Sequence, residues 1–402
     1  MSRILFAWEL GGGYGHLGPF RPIADALLAR GHELTIAARE VQSATAIFGA
    51  LPVRIVQAPL CIKTYKGLEE PPLNFAEILM RYGYFDAPQL SGLLQAWRGL
   101  LDMTQAETVV ADHAPTALLA TRGRAVTRVV IGSPFAVPPP LNPTPNMRSW
   151  VNVPEQRLIS SDASVLKVIN ASQPADVPPL GAVHEIFDGA SGLLTGVPEL
   201  DPYGSRDSLC YMGLTGGRTG TLQPRWPEGD GPRTFVYLNN DYRHIEAVLA
   251  TLAASAARCL VCLLGATPAL VEKYQGPRVV FSSGMLDLEA AVAGSDFCIC
   301  HGNVGTVMNI LRGAKPMLLF PMQLEHFLLS AKLEKLGIAG VVHPEREPLD
   351  IANPLARVMQ DESMSGAARA FARKHREPSV DTILERATSR IEARARTQDK
   401  PG

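Results

Sequence analysis

The chain alternates short apolar runs with amphipathic ones. Residues 3–8 (RILFAW) and 32–39 (HELTIAAR) read as strands. Between them FRPIADALLARG (20–31) sets Ile23, Ala26, Leu27 and Ala29 on one helical face, and Gly31 closes that helix as a C-cap. AETVVAD (106–112) and TRVVIGS (127–133) read as strands flanking the helix-like APTALLATRGRA (114–125). From residue 234 the alternation restarts. TFVYLNN (234–240), CLVCLLG (259–265), RVVFSS (278–283), FCIC (297–300) and PMLLFP (316–321) are strand-like. YRHIEAVLATLAASA (242–256), LDLEAAVAGS (286–295), VGTVMNILRGA (304–314) and EHFLLSAKLEKLG (325–337) are helix-like. A charged helical segment runs from about 379 to 395, before a polar tail. Strand–helix–strand order of this kind predicts parallel sheets with helices on both faces.

Two stretches interrupt the alternation. SPFAVPPPLNPTPN (133–146) has too much proline for a helix or central strand and is expected to be a long loop near a site. LTGGRTGTLQPRWPEGDGPR (214–233) is rich in glycine and proline and reads as a linker. A chain of 402 residues exceeds one ordinary core. The predicted organisation is an N-terminal Rossmann-like domain (1–213), a linker (214–233), a C-terminal Rossmann-like domain (234–378) and a terminal helix with its tail (379–402). Two such α/β halves are expected to face each other across a cleft, with ligands outside the carboxyl ends of the strands.

Composition narrows the partners. Hydrophobic residues make up 46% and charged residues 19%, enough to bury a large interior. A net charge of −1 argues against nucleic acid, which leaves a basic footprint, but not against a small anion held locally. MSRILFAWEL lacks the form of a secretory signal, and no uncharged apolar stretch approaches 18 residues. A cytoplasmic protein without a transmembrane segment is expected. The cysteines at 61, 210, 259, 262, 298 and 300 include a C-x-x-C and a C-x-C, which could signal zinc or redox chemistry. Their apolar neighbours favour small core residues in buried strands.

Two glycine loops carry the candidate chemistry. GGGYGHLGP (11–19) follows the first strand and contains G-x-G-x-x-G at Gly13, Gly15 and Gly18, with Glu40 where a dinucleotide fold places its ribose carboxylate. That pattern alone would suggest a nicotinamide site. His16 inside the loop, and Pro19 and Pro22 at the start of the helix, fit it poorly. The second loop follows FCIC: a strand ends at His301, the turn carries Gly302 and Gly305, and a helix starts near Thr306. Such a turn exposes backbone N–H groups at a helix N-terminus, where anions bind, and Thr306 adds a hydroxyl.

The second loop resembles the donor-binding signature of the UDP-glycosyltransferase-like family, glycosyltransferase family 1, whose fold is called GT-B. His301-Gly302-Asn303-Val304-Gly305-Thr306 resembles its His-Gly-Gly-x-Gly-Thr, Gly313-Ala314-Lys315-Pro316 its Gly-x-Pro, and Pro321 with Glu325-His326 its Pro-x-x-x-Asp-Gln. LLTGVPELDPYG also resembles the end of that family's first domain.

The resemblance implies that His16 is the general base on an acceptor hydroxyl and that Asp112, in TVVADHAP, orients it. Asp112 as the cap of the helix that follows, and the adjacent His113 as base, remain open. The resemblance also implies a nucleotide-diphosphate sugar as donor and co-substrate. His301, Gly302, Asn303, Gly305, Thr306, Asn309, Glu325 and His326 would bind it, with Gly13, Tyr14 and Gly15 on the acceptor side. The acceptor would be small or lipid-like. No other cofactor is expected, and no D-x-D motif is placed to hold a metal.

Asn309 stands where the family has a ribose-binding glutamate. Glu325-His326 replaces Asp-Gln, and VYLNND (236–241) replaces a Gly-Ser phosphate loop. The expected activity is inverting, metal-independent glycosyl transfer. The alternatives are a nucleotide-sugar epimerase or hydrolase of the same fold, or an inactive glycosyltransferase-like partner protein.

Overall fold

The computed structural model describes residues 1–207, 211–217 and 220–393. Two compact units share the chain. The first comprises Met1–Thr195, Tyr203–Met212 and the chain from Asp381; the second comprises Gly196–Pro202 and Gly213–Val380.

In the first unit β1 (Arg3–Trp8), β2 (Glu33–Ala38), β3 (Arg54–Gln57), β4 (Thr108–Asp112), β5 (Thr127–Gly132) and β6 (Ser191–Leu194) form one parallel sheet in the order β3-β2-β1-β4-β5-β6. Its helices are α1 (Arg21–Ala29), α2 (Val41–Phe48), α3 (Phe75–Leu79), α4 (Ala87–Thr104), α5 (Pro115–Ala120) and α6 (Glu155–Ser172). The second unit repeats the plan. Its strands are β7 (Arg233–Asn239), β8 (Arg258–Leu264), β9 (Val279–Phe281), β10 (Phe297–Cys300), β11 (Met317–Leu319) and β12 (Ala339–Val341), in the order β12-β11-β10-β7-β8-β9, again all parallel. Its helices are α7 (Ile245–Ala254), α8 (Pro268–Tyr274), α9 (Leu288–Ala293), α10 (Val304–Arg312), α11 (Leu324–Lys335), α12 (Ala352–Gln360) and α13 (Glu362–Lys374). The last helix, α14 (Val380–Glu392), belongs almost wholly to the first unit.

Each sheet is buried on both faces, which is why its strands read as continuous apolar runs. In the first unit Leu5, Ala7, Val109 and Ala111 meet α4 and α5 on one face. Ile4, Phe6, Trp8 and Ile36 meet α1 and α2 on the other, joined by Ile383, Ala387 and Ile391 of α14. Arg30 bonds Glu385 and Glu392, and His32 Nε2 lies 2.8 Å from Glu392, so α14 is fastened by charge as well as by apolar burial.

The expected linker, 214–233, falls within the second unit, and the expected separate C-terminal helix packs on the first. The four strand cysteines, 259, 262, 298 and 300, are buried and unpaired, and burial pushes their thiols up to between about 11 and about 12. Cys61 is half-buried outside any strand, and Cys210 lies outside the described residues. Among the described residues no helix is long and apolar enough to cross a membrane.

In each unit the order of strands reverses direction between two neighbours: β1 and β4 in the first, β7 and β10 in the second. Loops leaving the carboxyl ends of such a pair diverge to opposite faces and open a crevice for ligands. Asp112 ends β4 and His16 lies in the loop after β1; Asn239 ends β7 and His301 follows β10.

Candidate functional site

In the first unit the β1–α1 loop and the end of β4 bring two sequence-distant side chains together. Trp8 pairs with Asp112 across β1 and β4. The chain then turns through Gly11 and Gly13, both with positive φ, and folds back so that His16 Nδ1 lies 3.0 Å from Asp112 Oδ1. Trp8 stacks on the His16 ring at 5.2 Å. The His16 side chain is 14% exposed and that of Asp112 only 4%, so the imidazole is the member open to a ligand. Burial raises the Asp112 carboxyl, and His16 opposes that rise. Since a carboxylate oxygen only accepts, Nδ1–H donates and Nε2 becomes the proton-accepting nitrogen of the neutral ring.

Two glycines make room for this pair. A Cβ at Gly11 would overlap the His16 ring, and one at Gly132, the last residue of β5, would stand 2.5 Å from Asp112 Oδ1. Gly132 does not stand out in the sequence, because its close approach to Asp112 exists only once β4 and β5 are side by side. Asp112 does not cap α5: that helix has Ala114 at its N-cap. Glu9 instead accepts from the Thr116 N–H, at 2.7 Å.

His113 is buried beside the pair, its ring 6.0 Å from His16 and 6.3 Å from Phe135. Its φ of +45° turns it out of strand alternation. Burial, with His16 and Arg39 nearby, pushes it down to about 3, so it is a neutral wall of the site. Phe135 belongs to the proline-rich loop, which is firmly held. Buried Thr144 donates its N–H and hydroxyl to Asp162 at 2.8 and 2.7 Å, and Asn74 donates to the same carboxylate.

Glu40 is engaged by its own glycine loop and helix. Its Oε1 accepts the Gly13 N–H at 3.3 Å and its Oε2 the Ser43 hydroxyl at 3.0 Å, so the carboxylate holds the glycine loop itself. The loop runs through turns over residues 14–20 before a helix of nine residues begins at Arg21. Tyr14 packs against the apolar face behind it, while Gly13 and Gly15 are exposed.

In the second unit the turn after β10 has the expected form. Gly302, at φ +92°, lies so close to α11 that a Cβ would meet Ser330 Oγ at 3.0 Å and the His326 carbonyl at 3.2 Å. Asn303 is the N-cap of α10 and makes no side-chain cap bond, so the first N–H groups of a nine-residue helix have no cap from it. Gly305 and Thr306 are buried in its first turn.

Three of the residues expected to bind the donor make hydrogen bonds within the unit. His301 Nδ1 donates to the Phe320 carbonyl at 2.8 Å, and Nε2 accepts the Asn239 N–H at 2.8 Å. This neutral ring has no N–H left for a phosphate; it ties the ends of β7 and β10 to the residue after β11. Asn309 donates to the Gly217 and Gly305 carbonyls at 3.2 and 3.1 Å, which holds residues 216–217 on α10 and takes up its amide hydrogens. His326 is buried, pushed down to about 3, with Nε2 3.1 Å from the Gln323 amide. Glu325 is half-buried in the first turn of α11. The 239–241 turn uses its own N–H groups too: Asn240 N–H reaches the Leu264 carbonyl and Asp241 N–H the Asn239 side chain. Among the described residues no group of three His, Cys, Asp or Glu is arranged to hold a metal ion.

No protein-family model matches the chain, and no curated protein sequence matches it. Solved structures do. The glycosyltransferase VinC in complex with DTDP superposes with a TM-score of 0.69 at 16% identity, covering 97% of this chain and 100% of that one. The chain has the GT-B fold. The calicheamicin glycosyltransferase CalG4 gives a TM-score of 0.66 at 20% identity, with 99% of each chain covered. The spinosyn rhamnosyltransferase SpnG complexed with thymidine diphosphate gives 0.66 at 14%, covering 93% of this chain and 96% of the other. The fold expected from the glycine turns is thus borne out across both units.

Proposed function

We propose that this protein is an inverting, metal-independent glycosyltransferase that moves a sugar from a nucleoside diphosphate sugar to an acceptor hydroxyl. The observation that carries the reading is the 3.0 Å contact of His16 Nδ1 with Asp112 at the carboxyl ends of β1 and β4. A neutral imidazole accepts an alcohol proton, and a carboxylate on its other nitrogen fixes the tautomer and supports the imidazolium that forms. The acceptor oxygen, losing its proton to His16 Nε2, bonds to the anomeric carbon. The bond from that carbon to the diphosphate oxygen breaks on the opposite side, and the nucleoside diphosphate leaves with the electron pair. The leaving charge is met by the N–H groups at the start of α10, Thr306 and the positive end of the helix dipole. His301 and Asn309 act by fixing the shape of that turn.

The solved relatives named above include complexes with thymidine diphosphate, which makes thymidine diphosphate the first ligand to try. Its release from a thymidine diphosphate sugar, with and without an acceptor panel, tests the reaction and separates transfer from hydrolysis. Turnover should survive excess chelator. His16→Ala should lower turnover by about two to four orders of magnitude. Asp112→Asn should lower it too, and the double variant should be little worse than His16→Ala, because the two act as one unit. Thymidine diphosphate binding by calorimetry should change little in all three. Normal turnover in folded His16→Ala would refute the reading.

A further inference from the structure

Glu9 lies beside the proposed site and has no part in the reaction scheme. It follows Trp8, which stacks on His16, and precedes Leu10, whose N–H donates to the His113 carbonyl at 3.0 Å. Its side chain is buried. Oε1 accepts the Thr116 N–H at 2.7 Å and Oε2 the Trp97 indole N–H at 2.9 Å. Tyr84 faces it from residues 80–84, with its hydroxyl 2.9 Å from Thr116 Oγ1. From the end of β2, Arg39 donates to the Glu9 carbonyl at 3.0 Å. His16, Asp112 and His113 lie on the side of the site. Among the described residues no ion pair involves this carboxylate, and burial pushes it up to about 7 against the pull of Thr116 and Trp97.

An ionisable group in an apolar interior is costly, and here hydrogen bonds from neutral donors offset that cost. Here the geometry joins two chain segments. Glu9 stands on the segment that leads to His16. Thr116 stands on the segment that leaves Asp112 and His113. The carboxylate is a side-chain bridge between them, parallel to the backbone bond from Leu10 to His113.

We infer that Glu9 is a positioning residue whose carboxylate fixes the spacing of the segments that carry His16 and Asp112. The inference rests on the reading of His16 as the base. It predicts that loosening the bridge weakens the His16–Asp112 contact without touching the second unit.

The test is Glu9→Gln in the full chain. Glutamine keeps the size but turns an NH2 toward one of the two donors, so one bond is lost. The low-field proton of His16 Nδ1–H is followed by NMR and assigned by its absence in His16→Ala. Glu9→Gln should shift or broaden that resonance, and Asp112→Asn should do so more severely. The Trp97 indole N–H should move as well, which verifies that the bridge has changed. Turnover should fall about ten- to a hundredfold with donor KM unchanged, the usual effect of a small misplacement. A displaced Trp97 signal with an unaltered His16 resonance would overturn the inference. If Glu9→Gln does not fold, Trp97→Phe removes one donor and should move the His16 resonance in the same direction by less; no movement would again overturn it. The resonance does not depend on turnover, so failure of the glycosyl-transfer reading is seen separately, in an active His16→Ala.

Discussion

Gly132→Ala tests the dyad through a residue that has no chemistry of its own. The added Cβ would stand 2.5 Å from Asp112 Oδ1, 2.8 Å from Cγ and 2.9 Å from Oδ2. Asp112 must therefore retreat by about 1 Å to regain an ordinary contact distance. Its bond to His16 is 3.0 Å, so a shift of that size disturbs the length or alignment of that bond. Alanine at the φ of +106° found here also adds backbone strain. Strain and overlap together should cost about 2–5 kcal/mol of stability. Loss of the carboxylate contact should lower turnover by about a hundredfold or more, equivalent to about 2.7 kcal/mol of transition-state stabilisation. Urea denaturation measures the first quantity, thymidine diphosphate release the second, and calorimetry with thymidine diphosphate shows whether the second unit is intact. Gly31→Ala is the control, since its φ is +81° and its Cβ would meet nothing within 4 Å. It should show the strain and keep the turnover. A folded Gly132→Ala protein with wild-type turnover would refute the reasoning.

Two further outcomes are expected. His301→Ala should remove both the acceptor for the Asn239 N–H and the donor to Phe320, leaving a buried group unpaired at a cost of about 1–3 kcal/mol. Thymidine diphosphate affinity should fall with it, because the turn at 302–306 loses its anchor; unchanged affinity would show that the turn does not need His301. The second outcome is a fall in stability on acidification. His113 and His326 are pushed from an ordinary 6.5 down to about 3, so the stability they contribute is present above 6.5 and lost as pH falls toward 3. Glu9 works the other way: raised from 4.5 to about 7, it contributes stability below 4.5 that is lost as pH rises through 7. Asp112 and Asp162, also raised, side with Glu9, and His301, His343 and His375, lowered, side with the histidines. The histidines outnumber these acids, so the free energy of unfolding should drop between pH 6.5 and 5, by on the order of 1 kcal/mol per unit. Glu9→Gln should steepen the drop. A flat or rising profile would contradict these shifts.

Much of this was legible along the chain. Strands β1, β2, β4, β5, β7, β8 and β10 were visible as apolar runs, since strands covered on both faces need no polar alternation. The helices α1, α10 and α11 were visible from apolar spacing and a closing glycine, and α7 from its apolar spacing. His16 and His301 stood out because each sits in a glycine loop between a strand and a helix, a pattern with a local physical meaning. The stretch from 41 to 104 was not read. Its helices matter chiefly through Trp97, whose indole reaches back 88 positions to Glu9.

What the sequence determined by itself is local: periodicity, punctuation and the chemistry of a residue in its loop. The tertiary structure decided what each residue touches. The pattern Ile383, Ala387, Ile391 marks an apolar helix face, but only folding shows that it covers the first unit's sheet, because periodicity gives a face no address. His301 and Asn309 carry suitable chemistry for a nucleotide, yet their hydrogen bonds go to Phe320, Asn239, Gly217 and Gly305 once the strand ends converge. Gly132 has its close neighbour only where β5 lies beside Asp112, and Glu9 reaches Thr116 only where β1 and β4 lie together. Burial and hydrogen-bond satisfaction depend on neighbours in space, and those neighbours are set by the order of strands in the sheet.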